Sequence, residues 1–181
     1  MALTSTIYTF DIQLSDTDRG VYEALALRVA CHPSESEEYL LTRVLAYCLE
    51  FTEGIAFSAG GISDATDPAI TVKDLTGAWK SWVEVGNPDA GRLHRASKTA
   101  PRVAVYTQRD PSTLFRQLGG ERIHRGDALE IYAMDRTLLA ALAERLDRRV
   151  KFELTVADRH LYLAIGGETL TGVVERHTLP A

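Results

Sequence analysis

Carboxylate side chains in the middle of the sequence are the residues whose types and spacing indicate chemistry. Glu84 stands in a strand-like run, Trp79–Val85, whose other residues are mostly suited to burial. An unpaired buried charge is costly, so Glu84 needs a partner inside the protein. Asp74 lies just before a turn signal, Thr76-Gly77, which precedes the same run.

A hairpin through this turn places Asp74 and Glu84 on adjacent strands, either near the same end or diagonally opposed. Because two neighbouring carboxylates repel, a divalent cation would stabilise the pair, and Mg²⁺ prefers such oxygen ligands. A cation held in this way activates water and bridges a phosphate group. The spacing therefore indicates phosphodiester hydrolysis with Mg²⁺ or Mn²⁺ as cofactor.

The charge distribution favours an anionic partner for part of the chain. The 181 residues carry a net charge of −5, but the segment 11–89 has a net charge of −9 and the segment 91–125 has +6. An acidic half beside a basic segment suits a metal-dependent enzyme that acts on a polyanion. We expect nucleic acid to contact the basic residues Arg92, Arg95, Lys98 and Arg102.

The chain has the composition of one ordinary globular domain, with no repeat and no apolar stretch of the roughly 20 residues that a membrane span needs. The N-terminus lacks the pattern of a signal peptide. The two cysteines, Cys31 and Cys48, have no metal-site spacing and suit a reducing compartment. These features predict a cytoplasmic protein that does not enter a membrane.

Hydrophobic patterns predict the elements that would position the carboxylates. A strand pair over residues 4–30 comes first, and a capping box formed by Ser34 and Glu37 then opens a helix that runs to about Phe51. Three strands, a helix that begins after Asn87-Pro88-Asp89 and a further strand, Arg102–Thr107, complete a core over residues 34–107. The extension over residues 127–176 contains a strand, a helix over 136–148, a hairpin and a last strand, all of which we expect to widen the same sheet.

Two acids, Glu35 and Glu38, lie at the start of the first predicted helix. Acids in this position stabilise a helix by complementing its dipole, by about 0.3 to 1 kcal/mol each. Glu38 also falls beside the buried stripe, so the alternative is a carboxylate directed at a site. The sequence leaves both interpretations open.

The sequence resembles a known family over nearly its full length. The segments HPSE (His32–Glu35), KDLTG (Lys73–Gly77), WVEVGNPD (Trp82–Asp89) and VAVYT (Val103–Thr107) occur in the order typical of the YaeQ family. This resemblance implies a PD-(D/E)xK (restriction-endonuclease-like) core. The expected fold is therefore a single α/β domain, residues 1–181, with a mixed β-sheet flanked by helices and strands added at both ends.

The resemblance also implies roles for individual residues. Transferred from the nuclease superfamily, the metal ligands are Glu84, one strand carboxylate and one helix carboxylate. The strand carboxylate is either Asp74 or Asp67, which precedes Pro68, and the helix carboxylate is either Glu38 or Glu35.

One position departs from the nuclease pattern. Gly86 stands two residues after Glu84, where the signature places a catalytic lysine. A basic residue from elsewhere would have to replace it, and Lys98 on the following helix is our choice. Two hypotheses follow: a metal-dependent nuclease with a variant site, or a catalytically inactive module that binds nucleic acid or a protein partner.

Overall fold

The computed structural model describes residues 4–58 and 66–180, and it contains two mixed β-sheets with four α-helices in these residues. The chain divides into two compact units. The first unit comprises residues 1–41 and 135–174, and the second comprises residues 42–134 and 175–181. The expectation of a single domain stays a prediction.

The first unit contains a five-stranded sheet in the order β10-β9-β8-β1-β2. Its strands and helix are β1 (Thr6–Asp16), β2 (Val21–Cys31), α4 (Arg136–Ala143), β8 (Arg149–Ala157), β9 (His160–Ile165) and β10 (Glu168–Val173). β1 pairs antiparallel with β2 and parallel with β8. Buried and exposed residues alternate along β1, β2 and β8, as expected of strands with one face in a core.

The second unit contains a six-stranded sheet in the order β11-β7-β6-β5-β4-β3. Its elements are β3 (Ile55–Phe57), β4 (Ile70–Lys73), β5 (Trp79–Val85), α2 (Ala90–Thr99), β6 (Arg102–Thr107), α3 (Pro111–Leu118), β7 (Glu130–Ala133) and β11 (Glu175–His177). β5, β6 and β7 are parallel, and the sequence VAVYT in β6 is buried throughout. Continuous apolar sequence is typical of parallel strands, because both of their faces are covered.

The predicted order of helix, three strands, helix and strand is observed over α1 (Glu37–Leu49) to β6. The start of α1 differs from the prediction, because Ser36 rather than Ser34 provides the cap. The Ser36 hydroxyl accepts a hydrogen bond from the Tyr39 N–H at 3.0 Å. Ser34 instead bonds the His32 ring through both its N–H and its hydroxyl.

Two further expectations are corrected. The first strand of the C-terminal extension widens the core sheet as predicted, because β7 pairs with β6. The other strands predicted at the chain ends do not, because β8, β9 and β10 join β1 and β2 in a separate sheet. This separate sheet forms because β8 pairs in parallel with β1, and β9 and β10 then extend it from β8. The helix predicted over 136–148 ends at Ala143, where short turns replace helical hydrogen bonds.

The two faces of the second sheet carry different side chains. Trp82 packs with Leu93 of α2 and Leu114 of α3 in an apolar cluster on one face. The pairing of β5 with β6 aligns Ser81 with Arg102, so these residues share the opposite face. On this face, away from α2 and α3, Arg102 forms hydrogen bonds with Ser81 and Glu50.

No helix in the described residues is long and apolar enough to cross a membrane.

Candidate functional site

Glu84 lies near the carboxyl end of β5 and is buried, with 5% of its surface exposed. Its Oε1 atom accepts two hydrogen bonds, one from the Trp82 indole Nε1–H at 2.6 Å and one from the Arg92 Nε–H at 2.6 Å. Trp82 and Glu84 share one face of the strand, as their spacing predicts. The buried acid therefore has a cationic partner and a neutral donor.

Arg92 reaches Glu84 because of the way the next helix begins. Asp89 caps the N-terminus of α2 by accepting a hydrogen bond from the Arg92 N–H at 2.7 Å. This cap fixes the first turn of α2 beside the end of β5. The Arg92 guanidinium also donates through Nη2 to the Asp67 carbonyl oxygen at 2.6 Å. A single arginine thus connects the residue before Pro68 to the carboxylate of Glu84.

Protonation of Glu84 reflects opposing influences. Burial raises the pKa of the carboxyl group, while the hydrogen bond from Trp82 and the charge of Arg92 lower it, and the net shift is upward. The second oxygen, Oε2, accepts no hydrogen bond from residues 4–58 or 66–180. Both known donors therefore act on one oxygen of the carboxylate.

Asp74 lies in the turn between β4 and β5, away from Glu84. The register pairs Lys73 with Trp79 and Ile70 with Val83, so the turn and Glu84 are at opposite ends of the hairpin. Asp74 Oδ1 accepts hydrogen bonds from the Thr76 hydroxyl, the Thr76 N–H and the Ala78 N–H, at 2.6, 2.8 and 3.0 Å. These bonds lower the pKa of Asp74. The expectation that Asp74 lies near Glu84 at one end or diagonally is wrong, because the hairpin register separates them.

Asp67 is the strand carboxylate whose backbone the structure places at the Glu84 end of the hairpin, through the shared contact with Arg92. Glu38 is exposed in the first turn of α1, and Glu35 is half-buried just before this helix. Both belong to residues 1–41, which are part of the first unit. Through Arg92, the structure therefore places the backbone of Asp67 near Glu84, and it does not place Asp74 there.

The donor set that a metal ion requires does not form in the described residues. Among them, no group of three or more His, Cys, Asp or Glu side chains could hold a metal ion. At Glu84 the neighbouring donors are an indole N–H and a guanidinium, neither of which is a ligand for Mg²⁺. The residues observed beside Glu84 thus do not fit the predicted Mg²⁺ or Mn²⁺ site.

Gly86 has a φ angle of +96° and donates its N–H to the Tyr106 carbonyl oxygen at 2.9 Å. A residue with a side chain rarely adopts this φ angle, so the backbone itself favours glycine at this position. Lys98 is exposed in the last turn of α2, six residues after Arg92 and about 9 Å further along the helix axis. The cation that projects back over the end of β5 is therefore Arg92 rather than Lys98.

The predicted basic segment separates into paired and exposed residues. Arg92 and Arg102 form buried or half-buried ion pairs, with Glu84 for the first and with Glu50 and Glu130 for the second. The segment's remaining basic residues are exposed: Arg95, Lys98, Arg109, Arg116, Arg122 and Arg125. Arg125 donates to the carbonyl oxygens of Ser97 and Ala100 at the end of α2. Half of the predicted nucleic-acid contacts thus belong to internal ion pairs.

A cluster of polar residues around Arg102, here called the Arg102 cluster, was not predicted from the sequence; its other members are Glu50, Glu130, Tyr106 and Tyr132. Arg102 donates to both oxygens of Glu50 at 2.7 and 3.0 Å and to both oxygens of Glu130 at 2.6 and 3.3 Å. Tyr106 and Tyr132, whose rings stack at 4.8 Å, donate to Glu50 and Glu130 at 2.7 Å each. The only available signal was the alternation of Arg102 and Tyr106 in β6 with Glu130 and Tyr132 in β7.

The protonation of this cluster follows from its contacts. Although burial opposes charge on Arg102, its hydrogen bonds with Glu50 and Glu130 raise the pKa of the guanidinium. Burial also disfavours the charged form of Glu130, yet the hydrogen bonds from Arg102 and Tyr132 lower the pKa of its carboxyl group. Burial and the bond to Glu130 raise the pKa of Tyr132 to about 12. Arg102 and Glu130 therefore both remain charged around neutral pH.

Comparisons with known proteins agree over nearly the whole chain. Residues 1–173 match the family model described as YaeQ protein. The chain is 28% identical over 165 residues to the Escherichia coli (strain K12) protein named "Uncharacterized protein YaeQ", and the match covers 91% of each chain. The Salmonella typhi protein with the same name matches at 28% identity over the same length.

Two solved structures share this fold. The crystal structure of the YaeQ protein from Pseudomonas syringae has a TM-score of 0.85 and 29% sequence identity, over 96% of each chain. The structure of the YaeQ protein from Xanthomonas axonopodis pv. citri has a TM-score of 0.86 and 26% identity, over 98% of this chain and 100% of the other. With the family match, these likenesses establish that the chain belongs to the YaeQ family.

Proposed function

We propose that this protein is a catalytically inactive module that binds nucleic acid. The observation that carries the proposal is the ion pair between Glu84 and Arg92, with 2.6 Å between Oε1 and Nε. In a metal-dependent nuclease, a carboxylate in this position would face a cation with open coordination positions. Here a guanidinium, which cannot coordinate phosphate and water as a metal does, occupies that place.

The proposal includes a restriction-endonuclease-like core. The order helix, three strands, helix and strand over residues 37–107 supports it, as does the position of the Asp67 backbone, which Arg92 joins to Glu84 at one end of the β4–β5 hairpin. The glycine at position 86 supports the loss of catalysis, because it supplies neither a charge nor a proton donor where nucleases use lysine. The left-handed backbone there would also strain a lysine side chain.

The exposed basic residues of α2 are the proposed contact surface. Arg95 and Lys98 are three residues apart, so they lie on the same side of the helix, and both are exposed. Arg116 and Arg122 add exposed charge in and after α3. Contacts of this kind to phosphate groups release counterions, so the affinity should fall steeply as salt rises.

Binding of a fluorescent single-stranded oligonucleotide, followed by anisotropy at several salt concentrations, tests this proposal. We expect the Arg95→Gln/Lys98→Gln variant to bind more weakly and to lower the slope of log K against log salt by about 1.4, since each lost phosphate contact removes about 0.7. The matched control is Arg149→Gln/Lys151→Gln, which removes the same charge from exposed positions of β8. Equal losses in both variants, or no binding by the native chain, would refute the proposed surface.

A metal-dependent nuclease is the second candidate. The specific observation in its favour is that Oε2 of Glu84 accepts no hydrogen bond from the described residues, while Oε1 of the same carboxylate contacts Arg92. A metal site there would require Arg92 to move away. Electron paramagnetic resonance of free Mn²⁺ would detect it: tight binding by the native chain that is lost in Glu84→Gln would favour the nuclease over the inactive module.

A further inference from the structure

Strand β2 forms one edge of the first sheet and is unusually open. It is eleven residues long and pairs with β1 along its whole length. Tyr22 is 63% exposed, and Ala24, Ala26 and Arg28 are also exposed. Edge strands of globular proteins are commonly protected by proline, charged side chains, bulges or a short length. Between Val21 and Val29 there is no proline, lysine or bulge, and the charged side chains are Glu23 and Arg28.

The direction of the free backbone groups follows from β1. The Thr9 N–H donates to the Arg148 carbonyl oxygen and the Thr17 N–H to that of Val156, so odd-numbered residues of β1 face β8. Even-numbered residues of β1 therefore face β2, where their partners are odd-numbered, such as Leu25 opposite Ile12. Alternation then directs the N–H and C=O groups of even-numbered β2 residues outward.

Four residues supply these outward groups: Tyr22, Ala24, Ala26 and Arg28. Within residues 4–58 and 66–180, no backbone hydrogen bond outside the β1 pairing reaches these four. Ala30, the next even-numbered residue, has an interaction of its own. The open edge therefore runs from Tyr22 to Arg28.

The opposite edge of the same sheet is covered. Asp135 at the start of α4 accepts a hydrogen bond from the Val173 N–H of β10 at 3.2 Å. A Cβ atom at Gly172 would lie 2.8 Å from the Leu138 side chain, so α4 packs directly on β10. The two edges of this sheet thus differ, and only β2 is available for a further strand in the described residues.

We propose that β2 pairs antiparallel with β2 of a second copy of this chain, centred on Leu25. In this register Tyr22 of one copy lies opposite Arg28 of the other, and Ala24 lies opposite Ala26 of the other. Because the dimer has two-fold symmetry, each of these pairs occurs twice. It is the register in which all four outward residues find an outward partner, giving eight backbone hydrogen bonds.

The side chains also complement each other in this register. The guanidinium of Arg28 lies beside the Tyr22 ring of the other copy, which favours a cation–π contact at each end. The alanines between them are small enough to leave the joined sheet flat. The edge is therefore self-complementary, which makes a second copy the partner that fits it.

Sedimentation velocity over a protein concentration range of about 5 to 500 µM tests the dimer, because a small strand interface has modest affinity. We expect the 20.0 kDa chain to shift toward twice its mass as concentration rises. Ala26→Lys should weaken the dimer at least tenfold, since it brings two added charges together. Thr171→Lys, exposed on β10, is the control that should leave it unchanged. A native chain that stays monomeric throughout, or an unchanged Ala26→Lys dimer, overturns the proposal.

Disulfide trapping tests the register independently. In a Cys31→Ser background, the Ala24→Cys and Ala26→Cys chains are oxidised separately and as a mixture. Opposed Cα atoms in hydrogen-bonded antiparallel pairs lie about 5.5 Å apart, which suits a disulfide. Cross-linked dimer in the mixture and not in either chain alone supports the register, while equal cross-linking of each chain alone, or none in the mixture, overturns it.

Discussion

At the scale of single residues, the burial of Glu84 and its contact with Arg92 decide how the site is interpreted. A buried carboxylate in a strand is costly unless a partner compensates for its lost hydration. In this protein the partner is the first arginine of the next helix, held in place by the Asp89 cap. The need for a partner was predictable from the sequence, but its identity was not, because the sequence offers several cations within reach.

Removal of Arg92 should leave Glu84 buried and unpaired. We expect Arg92→Ala to lower the free energy of unfolding by about 3 kcal/mol, because the charge of Glu84 would remain buried without the cation that compensates for it. Arg95→Ala, an exposed arginine one turn later in α2, should change it by about 0.5 kcal/mol or less. Urea denaturation measures both values.

A double-mutant cycle separates the pair from other effects of the substitution. Glu84→Gln/Arg92→Ala should be more stable than the sum of its single variants predicts, since the neutral amide no longer requires a cation. We expect a coupling free energy of about 1 to 3 kcal/mol. Simple additivity of the two single variants would contradict the ion pair.

The raised pKa of Glu84 predicts a pH dependence with a definite sign. Between its ordinary value of 4.5 and its higher value in the folded state, the folded protein binds more protons at Glu84 than the unfolded chain. The contribution of Glu84 is therefore most favourable below pH 4.5, and stability is lost as the pH rises through this window. Glu84→Gln should gain stability relative to the native chain as pH rises. A difference that is constant or has the opposite slope would contradict the raised pKa.

At the scale of secondary-structure elements, periodicity and capping residues predict most of the structure. The alternation in β1 and β2, the Asp89 cap of α2 and the apolar run of β6 each act locally, so each is visible in the sequence. Strand register is different, because it depends on pairing between distant residues. The distance of Asp74 from Glu84 and the separation of β8 from the second sheet could not be predicted for this reason.

Arg102 illustrates the same limit for electrostatics. Its place in a basic segment predicts contact with nucleic acid, whereas the parallel β6–β7 register and the end of α1 bring two carboxylates to it. From β6, Arg102 contacts Glu50, which follows α1, and Glu130 of β7, on the face of the sheet away from α2. Arg102 is therefore a structural residue of the second unit.

Arg102→Met should destabilise the protein by about 2 to 4 kcal/mol, because Glu50 and Glu130 would lose their shared cation and repel each other. The matched control is Arg109→Met, since Arg109 is exposed after β6. Thermal or urea unfolding measures the difference. If Arg102→Met instead keeps native stability and weakens nucleic-acid binding, Arg102 is a contact residue and the structural role is wrong.

At the scale of the whole molecule, the chain is negatively charged overall, while the segment 91–125, which includes α2 and α3, has a net charge of +6 and exposes six of its eight basic residues. Such asymmetry favours binding of a polyanion at one region of a chain that is elsewhere acidic. The likeness to YaeQ structures extends over nearly the full length, so both sheets belong to the shared fold. We therefore expect this chain to bind nucleic acid without any metal ion.

Binding and integrity of nucleic acid, measured in the same samples, test this account most directly. Labelled single-stranded and duplex DNA would be incubated with the native chain and with Glu84→Ala, each in Mn²⁺ or in chelator. The account predicts salt-dependent binding that is equal in Mn²⁺ and in chelator, with every strand left intact. Cleavage by the native chain that requires Mn²⁺ and disappears in Glu84→Ala would contradict it.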